Sequence, residues 1–186
     1  SGIKKATAKG QGKVRSAYLY QKAYEMLTDR ITESYSNDAM VLGSESESLS
    51  RDVYYFSNDV EIERVAIIKE GPHRHVSPDG LVGEDGIIEI KNINGPGYIE
   101  TVSKQRVGAE HAKQIQWGLY ISQREWCDFI QAHWIWGENG IIAGYTDKPI
   151  WVKRVYRDEK LIKEMDEGAD KFITEMLALV EKIKGD

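Results

Sequence analysis

The hydrophobic and polar positions along the chain predict helices at both ends and in the middle. Apolar residues recur at helical spacing from Ser16 to about Tyr35, and again in a last long helix from about Asp158 to Ile183. Two further helices are predicted, one from Asp38, a helix-capping residue type, to about Phe56 and one from about Val107 to Ser122.

Strand-like alternation fills the rest of the chain between these helices. The two glycine-rich segments at residues 94–97 and 137–140 predict a loop and a hairpin turn. This order of elements predicts a single α/β domain over residues 1–186, with helices on both sides of a mixed central β-sheet and a long C-terminal helix. The predicted strands are Val60 to Lys69, His75 to Val82, Ile87 to Asn92, Trp126 to Trp136, Ile141 to Tyr145 and Ile150 to Tyr156.

Composition is that of a globular protein of the reducing cytoplasm. Of the 186 residues, 41% are apolar and 30% charged, which indicates a packed core without extensive disorder. Cys127 is the only cysteine, so no disulfide can form within the chain, and it is expected to pack in a strand. No apolar run is long enough for a membrane span, and no secretory leader is present, so we expect no membrane association.

The net charge of -5 argues against indiscriminate binding to nucleic acid, because Lys and Arg supply most of that affinity. Its distribution is uneven. Residues 1–15 are basic and contain glycine, which predicts a flexible arm before the first helix. Such an arm is either a solvated terminus or a contact for DNA phosphates, with Lys9 and Lys13 as the candidate residues.

Residues 77–91 contain the pattern with the clearest chemistry. Asp79 lies between Pro78 and Gly80, which favour a tight bend, and the strand that follows places Glu89 and Lys91 on one face. Two carboxylates and an amine on so apolar a strand need partners, since a buried unpaired charge is costly. In isolation, a Glu-x-Lys pair is most often a surface ion pair, and the preceding Pro-Asp bend favours a metal site instead.

Carboxylate donors suit hard divalent cations such as Mg²⁺ or Mn²⁺. Asp79, Glu89 and the backbone carbonyl of Ile90 are the predicted ligands, and Lys91 would hold or help to deprotonate the attacking water. This is the layout of a metal-dependent nuclease.

Other motifs, in order along the chain, give a family resemblance over nearly all of its length. The chain resembles the phage lambda exonuclease or YqaJ-like viral recombinase family, within the restriction-endonuclease-like nucleases. The matching segments are the Gly43-x-x-x-Glu47 signature continued by Arg51 and Tyr54, Ser77-Pro78-Asp79-Gly80-Leu81, Glu89-Ile90-Lys91, the glutamine helix His111 to Trp117, Trp126 to Trp136, and Val155 to Lys160.

The resemblance implies roles for five side chains. Glu47, Asp79 and Glu89 would be acidic residues of the metal site, Lys91 the catalytic lysine and Gln114 the active-site glutamine. Without the family, Gln114 would be interpreted as an ordinary polar helix residue. Glu45 is a rival to Glu47, although on a helix it would point about 200° away.

The resemblance also implies an activity and an assembly. We expect a Mg²⁺-dependent exonuclease, with Mn²⁺ as a substitute, that degrades one strand of duplex DNA from its 5′ end to mononucleotides. It would act as a homotrimeric ring in the cytoplasm of a bacterial host and leave 3′ single strands for a phage annealing protein. The alternatives are a structure-selective or nicking endonuclease on the same core, and a non-catalytic DNA-binding module.

One departure from the family pattern concerns the 5′ phosphate. Family members have an early arginine followed by a turn that ends in serine. Ser1 matches that serine, and no residue here matches the arginine, so we expect native residues before Ser1 or another means of phosphate capture.

A further motif, which contains two histidines, precedes Asp79. His73 and His75 flank Arg74 in an arrangement that can bind a transition metal. No third ligand accompanies them in the sequence, so the motif is interpreted as strand surface or as a DNA contact.

Overall fold

The computed structural model describes residues 1–8, 12–31, 38–137, 140–144 and 149–185, with backbone only at 38–45, 136 and 140–144. The contacts within the chain separate it into two units. One comprises Ser1–Tyr35 with Asp158–Asp186, and the other comprises Ser36–Arg157. The single domain expected from the sequence stays a prediction.

The unit formed by the two ends of the chain is helical. It contains α1 (Gly2–Ala6), α2 (Lys13–Thr28) and the long α6 (Glu159–Gly185). Its buried cluster is apolar and joins α2 to α6 through Ala23, Met176 and Val180. The side chain of Asp158 accepts a hydrogen bond from the Leu161 N–H at 3.0 Å and so caps the last helix.

The N-terminal segment is more ordered than the expected flexible arm. Ile3 and Ala6, three residues apart, bury their side chains and support α1. Arg15 is also buried, donates to the Ala6 carbonyl at 3.1 Å and pairs with Glu175 at 2.7 Å. The charge of Arg15 is therefore used inside the unit. The expectation that no helix precedes Ser16 is wrong, because α1 lies at Gly2–Ala6 and α2 begins at Lys13.

The second unit is built on a five-stranded mixed sheet with the order β1-β4-β5-β6-β9. Strands β5 and β6 are parallel, and the other neighbours are antiparallel. The two-stranded sheets β2-β3 and β7-β8 accompany it. The strands are β1 (Ile62–Glu63), β2 (Ile68–Glu70), β3 (Arg74–Val76), β4 (Gly80–Val82), β5 (Gly86–Asn92), β6 (Trp126–Ala132), β7 (Trp134–Gly137), β8 (Gly140–Gly144) and β9 (Ile150–Tyr156).

Both faces of this sheet are covered, as the consecutive buried residues of β5 and β6 require. Helix α3 (Asp38–Asn58) packs Tyr54 against one face, whose other core residues are Val82, Ile88, Ile90 and Ile130. Helix α5 (Ala109–Ser122) covers the opposite face with Ile115 and Leu119, next to Leu81, Ile87, Cys127 and Phe129. The predicted α/β fold with a mixed sheet, flanking helices and a long last helix is confirmed.

Two predicted strands are each divided in the structure. In the predicted strand from Val60 to Lys69, the chain leaves the central sheet after β1 and enters the β2-β3 hairpin, and Val65 packs into the core between them. The next predicted strand is divided at Ser77 and Pro78, where the missing N–H of proline cannot continue a ladder. Long-range pairing, which sequence periodicity does not report, sets the first break, and the proline contributes to the second.

Two further segments differ from prediction. Residues 95–104 form helix α4 (Gly95–Lys104) and not a simple loop, because Asn94 caps it by accepting the Gly97 N–H at 3.0 Å and Pro96 lies in the first turn. The predicted strand over Trp126 to Trp136 is interrupted at His133, whose ring Nδ1 lies 2.7 Å from the Ile93 carbonyl oxygen. Among the described helices, none combines the length and apolar character that crossing a membrane demands.

Candidate active site

The turn before β4 places Asp79 beside the middle of β5. The backbone N–H of Asp79 donates to the Ile88 carbonyl at 3.2 Å, and the Ile90 N–H donates to Asp79 Oδ2 at 2.6 Å. These two bonds fix both the backbone and the carboxylate of Asp79 against the strand. The predicted bend and the predicted strand thus meet where Glu89 projects from β5.

Glu89 is the centre of a converging set of polar groups. Its carboxylate is buried, with the side chain 7% exposed, and its Oε1 lies 2.5 Å from Lys91 Nζ. Gln114 from α5 donates its side-chain amide to the same oxygen at 2.5 Å. The buried carboxylate is therefore held by an amine from its own strand and by an amide from the helix that covers this face.

Helix α3 contributes Glu47 and Arg51 to the same region. Arg51 pairs with Glu47 at 2.5 Å across one helical turn and donates through Nε to the Asp79 carbonyl at 3.0 Å. The Glu47 charge is felt by both Asp79 and Glu89. Glu45, the sequence rival of Glu47, lies where only the backbone is described.

Electrostatics in this cluster reflect crowded carboxylates. Burial, followed by repulsion from Glu89, raises the pKa of Asp79 to about 7, although the Ile90 N–H opposes the shift. Burial also raises the pKa of Glu89, and Lys91 partly offsets it. Burial lowers the pKa of Lys91, but the carboxylates of Glu89, Asp79 and Glu47 together outweigh it, so the pKa of Lys91 is raised and the amine stays charged.

The donor chemistry of the site fits a hard divalent cation. Three carboxylates, those of Glu47, Asp79 and Glu89, lie in this region with the cations Lys91 and Arg51, and a bound cation would relieve the repulsion that helps to raise the pKa values of Asp79 and Glu89. Within the described residues, no three His, Cys, Asp or Glu side chains converge closely enough to bind a metal by themselves. Backbone carbonyl, water and substrate oxygens would have to complete the shell, as Mg²⁺ often requires.

Of the residues predicted from the sequence, five side chains come together: Glu47, Asp79, Glu89, Lys91 and Gln114. The amide of Ile90 is bonded to Asp79, and the role of its carbonyl as a ligand stays a prediction. Ser1 and Lys13 belong to the helical unit, where Ser1 precedes α1 and Lys13 begins α2. Lys9 lies outside the described residues, and DNA contact by these three residues stays a prediction.

Two polar features of this region were not assigned a role from the sequence. Arg51 links α3 to the Asp79 backbone, and its four-residue spacing from Glu47 is the signal that could have identified the pair. Buried Asp128 on β6 accepts a hydrogen bond from the Tyr54 hydroxyl at 2.7 Å and two from Arg154 at 2.8 Å each. A carboxylate in a strand buried on both faces indicates such a network.

Comparison with known proteins identifies the family of this chain. Residues 1–125 match the family model described as the YqaJ-like viral recombinase domain. The chain belongs to the YqaJ-like viral recombinase family. The matched region contains Glu47, Asp79, Glu89, Lys91 and Gln114, the residues that converge at the site. No curated protein matches the chain.

Solved structures share the fold over almost the whole chain. An alkaline exonuclease (LHK-Exo) from Laribacter hongkongensis is 28% identical, with a TM-score of 0.82, over 98% of this chain and 90% of that chain. Its complex with dAMP gives 29% identity and a TM-score of 0.83 over 98% and 89%. A phage-related exonuclease from Haemophilus somnus 129PT, 13% identical with a TM-score of 0.73 over 98% and 94%, shares the fold alone.

These findings confirm the family and the enzyme class expected from the sequence. The YqaJ-like chain is a deoxyribonuclease of the alkaline exonuclease type. The non-catalytic alternative is therefore set aside.

Proposed function

We propose that the protein is a Mg²⁺-dependent exonuclease that degrades one strand of duplex DNA from its 5′ end. The observation that carries this proposal is the single oxygen Glu89 Oε1, which Lys91 and Gln114 both contact at 2.5 Å while Asp79 stands beside the same strand. Buried carboxylates held in this way next to a charged amine suit phosphodiester hydrolysis better than a structural ion pair, which would balance its charges.

Asp79, Glu89 and the Ile90 carbonyl would hold the cation, with Mn²⁺ able to replace Mg²⁺. When bound, such a cation lowers the pKa of its water and neutralises negative charge that develops on the phosphate. The raised pKa of Asp79 means that cation and proton compete for this carboxylate, so activity should rise with pH above neutrality.

The other side chains would have distinct tasks. Lys91, kept charged by Glu89, donates hydrogen bonds from Nζ that orient the attacking water and stabilise negative charge on the phosphoryl oxygens. Gln114 holds the Glu89 carboxylate in position through its amide. Glu47 adds negative charge to the site and, through Arg51, fixes the turn that carries Asp79.

The finer biological role is proposed on the family membership and on the likeness to the alkaline exonuclease. Digestion would release mononucleotides and leave 3′ single strands for a phage annealing protein, in the cytoplasm of a bacterial host. A homotrimeric ring around the DNA would suit a chain of net charge -5, because topological retention needs less basic surface than a clamped monomer. Ser1, Lys9 and Lys13 would then be candidates for phosphate contacts.

The direction of digestion is tested with linear duplexes blocked at one end. Strands protected by phosphorothioates at their 5′ termini should survive, whereas strands protected only at their 3′ termini should be digested to mononucleotides from the 5′ side. Digestion of the 5′-protected strands would overturn the proposed polarity, and internal cuts in both would favour the endonuclease alternative.

Native mass measurement at micromolar concentration should give three chains per particle.

A further inference from the structure

The β2-β3 hairpin, just before Asp79, is a two-stranded antiparallel unit. Ile68 pairs with Val76, Lys69 with His75 and Glu70 with Arg74. Its turn contains Gly71 at φ 64, in the left-handed region that favours glycine. At the open end, the Ser77 hydroxyl donates to the Ala66 carbonyl at 2.7 Å and ties the two strands together. The hairpin therefore enters the active-site turn as a fixed element.

The inner face of the hairpin is packed on α5, the helix that carries Gln114. Trp117 donates its ring N–H to the His75 carbonyl at 3.3 Å. Arg74 contacts the Tyr120 hydroxyl at 3.4 Å and pairs with Glu70 at 3.0 Å. The hairpin is thus anchored to one of the two elements that hold Glu89.

The outer face presents a different set of side chains. Alternation places Ile67, Lys69, His75 and Ser77 on this side, and all four are exposed, Ile67 to 46%. No carboxylate is among them. Glu70, the only acidic residue between positions 67 and 77, lies on the inner side with Arg74. In a chain of net charge -5, this face carries an exposed lysine and histidine directly opposite each other.

We propose that the outer face of the β2-β3 hairpin binds the phosphodiester backbone of the DNA substrate beside the scissile position, through Lys69 and His75. The inference rests on the proposed nuclease function and names a substrate contact for that site. Lys69 supplies the positive charge, and the His75 ring supplies a hydrogen bond to a phosphate oxygen. Ile67, nearer the active-site turn, is placed to contact deoxyribose.

Chain geometry limits how far this contact lies from the catalytic centre. Asp79 follows His75 by four positions, so their Cα atoms are at most about 14 Å apart. Successive phosphates of one strand advance about 3.4 Å along duplex DNA, so a phosphate bound by the hairpin would lie within a few nucleotides of the cut. A metal site at His73 and His75 is not supported, since no third ligand converges there among the described residues.

The test combines charge removal on the protein with charge removal on the DNA. Duplexes are made with one neutral methylphosphonate linkage at each of the first six positions from an end. Their dissociation constants are measured by anisotropy in chelator, so that binding is observed without hydrolysis. The proteins are the wild type, Lys69→Gln, His75→Gln and, as a matched control, Lys171→Gln, which removes an exposed lysine of α6.

We expect Lys69→Gln to weaken duplex binding about fivefold at low salt and to reduce the slope of log affinity against log salt by about one. One neutral linkage within the first four positions should weaken the wild type and Lys171→Gln but add nothing to Lys69→Gln, because the partner is already missing. Additive losses at every position, or an unchanged affinity for Lys69→Gln and His75→Gln, would overturn the contact.

The same proteins also separate this inference from the proposed function. Mononucleotide release in Mg²⁺ is assayed in parallel. If the wild type releases none while the neutral-linkage coupling to Lys69 is present, the nuclease proposal fails and the DNA contact stands. If the wild type digests DNA without that coupling, the nuclease proposal stands and the hairpin contact is wrong.

Discussion

Gln114 donates its side-chain amide to Glu89 Oε1 at 2.5 Å, so the helix that covers the sheet and the strand that carries the catalytic motif meet at one atom. A residue that sequence spacing alone would leave as an ordinary helix surface position therefore controls the orientation of a buried carboxylate. Lys91 contacts the same oxygen, which makes Glu89 the common partner of the site.

The role of Gln114 can be separated from that of its neighbour Gln116. Gln114→Ala should lower kcat by about tenfold or more with little change in Tm, because it frees Glu89 without opening the core. Gln116 is buried and donates to the Tyr156 carbonyl at 2.8 Å, so Gln116→Ala should lower Tm and leave kcat per folded molecule nearly intact. The measurement is turnover on linear duplex beside thermal melting. Equal kcat losses in the two variants would contradict this assignment.

The amine of Lys91 should be essential for chemistry and dispensable for folding. Lys91 lies near the C-terminal end of the central strand β5 with its side chain 34% exposed, so Lys91→Ala opens no core cavity. We expect hydrolysis to fall by at least about a hundredfold. Asp79→Ala and Glu89→Ala should also abolish hydrolysis, and all three variants should still bind duplex DNA. Near-native turnover of Lys91→Ala in Mg²⁺ would remove the lysine from the mechanism.

The raised pKa of Asp79 predicts a stability effect with a definite sign. The carboxyl titrates near 3.8 when unfolded and near 7 when folded, so the folded state holds an extra proton between these values. The contribution of this group to the free energy of unfolding is fully present below pH 3.8 and is lost as the pH rises to about 7. Asp79→Asn should therefore stabilise the metal-free protein by up to about 4 kcal/mol at pH 8 and have little effect near pH 4.

The measurement is urea unfolding of both proteins in chelator at the two pH values. Adding Mg²⁺ should stabilise the wild type at pH 8 more than the Asn variant, because the cation replaces the proton. If the variant is less stable than the wild type at pH 8 in chelator, burial and repulsion do not destabilise the ionised Asp79 carboxylate, and the prediction is wrong.

The network around Asp128 should matter for stability alone. Asp128→Ala leaves the buried Tyr54 hydroxyl without its partner and should destabilise the protein by about 2 to 3 kcal/mol. Tyr54→Phe, which removes one bond, should cost about 1 kcal/mol. Both variants should keep the wild-type kcat when measured well below their Tm. A large loss of kcat in the folded Tyr54→Phe protein would instead place this network in catalysis.

Much of the site could be predicted because its chemistry lies in short segments with fixed geometry. A Pro-Asp bend followed by Glu-x-Lys on a strand forces Asp79, Glu89 and Lys91 into one neighbourhood. Gln114 could be assigned to the site only from the family pattern, because nothing in the sequence of α5 itself distinguishes Gln114 from Gln116. The tie between Arg51 and Asp79 depends on how α3 packs, which no sequence period reports.

The layers of helices and strands could be predicted from the sequence. The points at which a strand is interrupted were harder to predict. Strand β9 has the predicted bounds, Ile150–Tyr156, because its sequence is rich in β-branched and aromatic residues. Residues 60–82 read as two strands, since alternation continues while the chain changes sheets. Helix α4 was missed because Gly95, Pro96 and Gly97 resemble a loop, whereas the Asn94 cap and the early proline make them a helix start.

The most direct test of the central claim is digestion of linear and covalently closed circular duplexes of the same sequence, in Mg²⁺ and in excess chelator. If the protein is a metal-dependent exonuclease, only the linear duplex should release mononucleotides, and it should leave a 3′ single strand. Neither duplex should release mononucleotides in chelator. Mn²⁺ should replace Mg²⁺, and Ca²⁺ should support little activity because its longer, looser coordination positions water poorly. Equal cutting of closed circles, or full activity in chelator, would contradict the account.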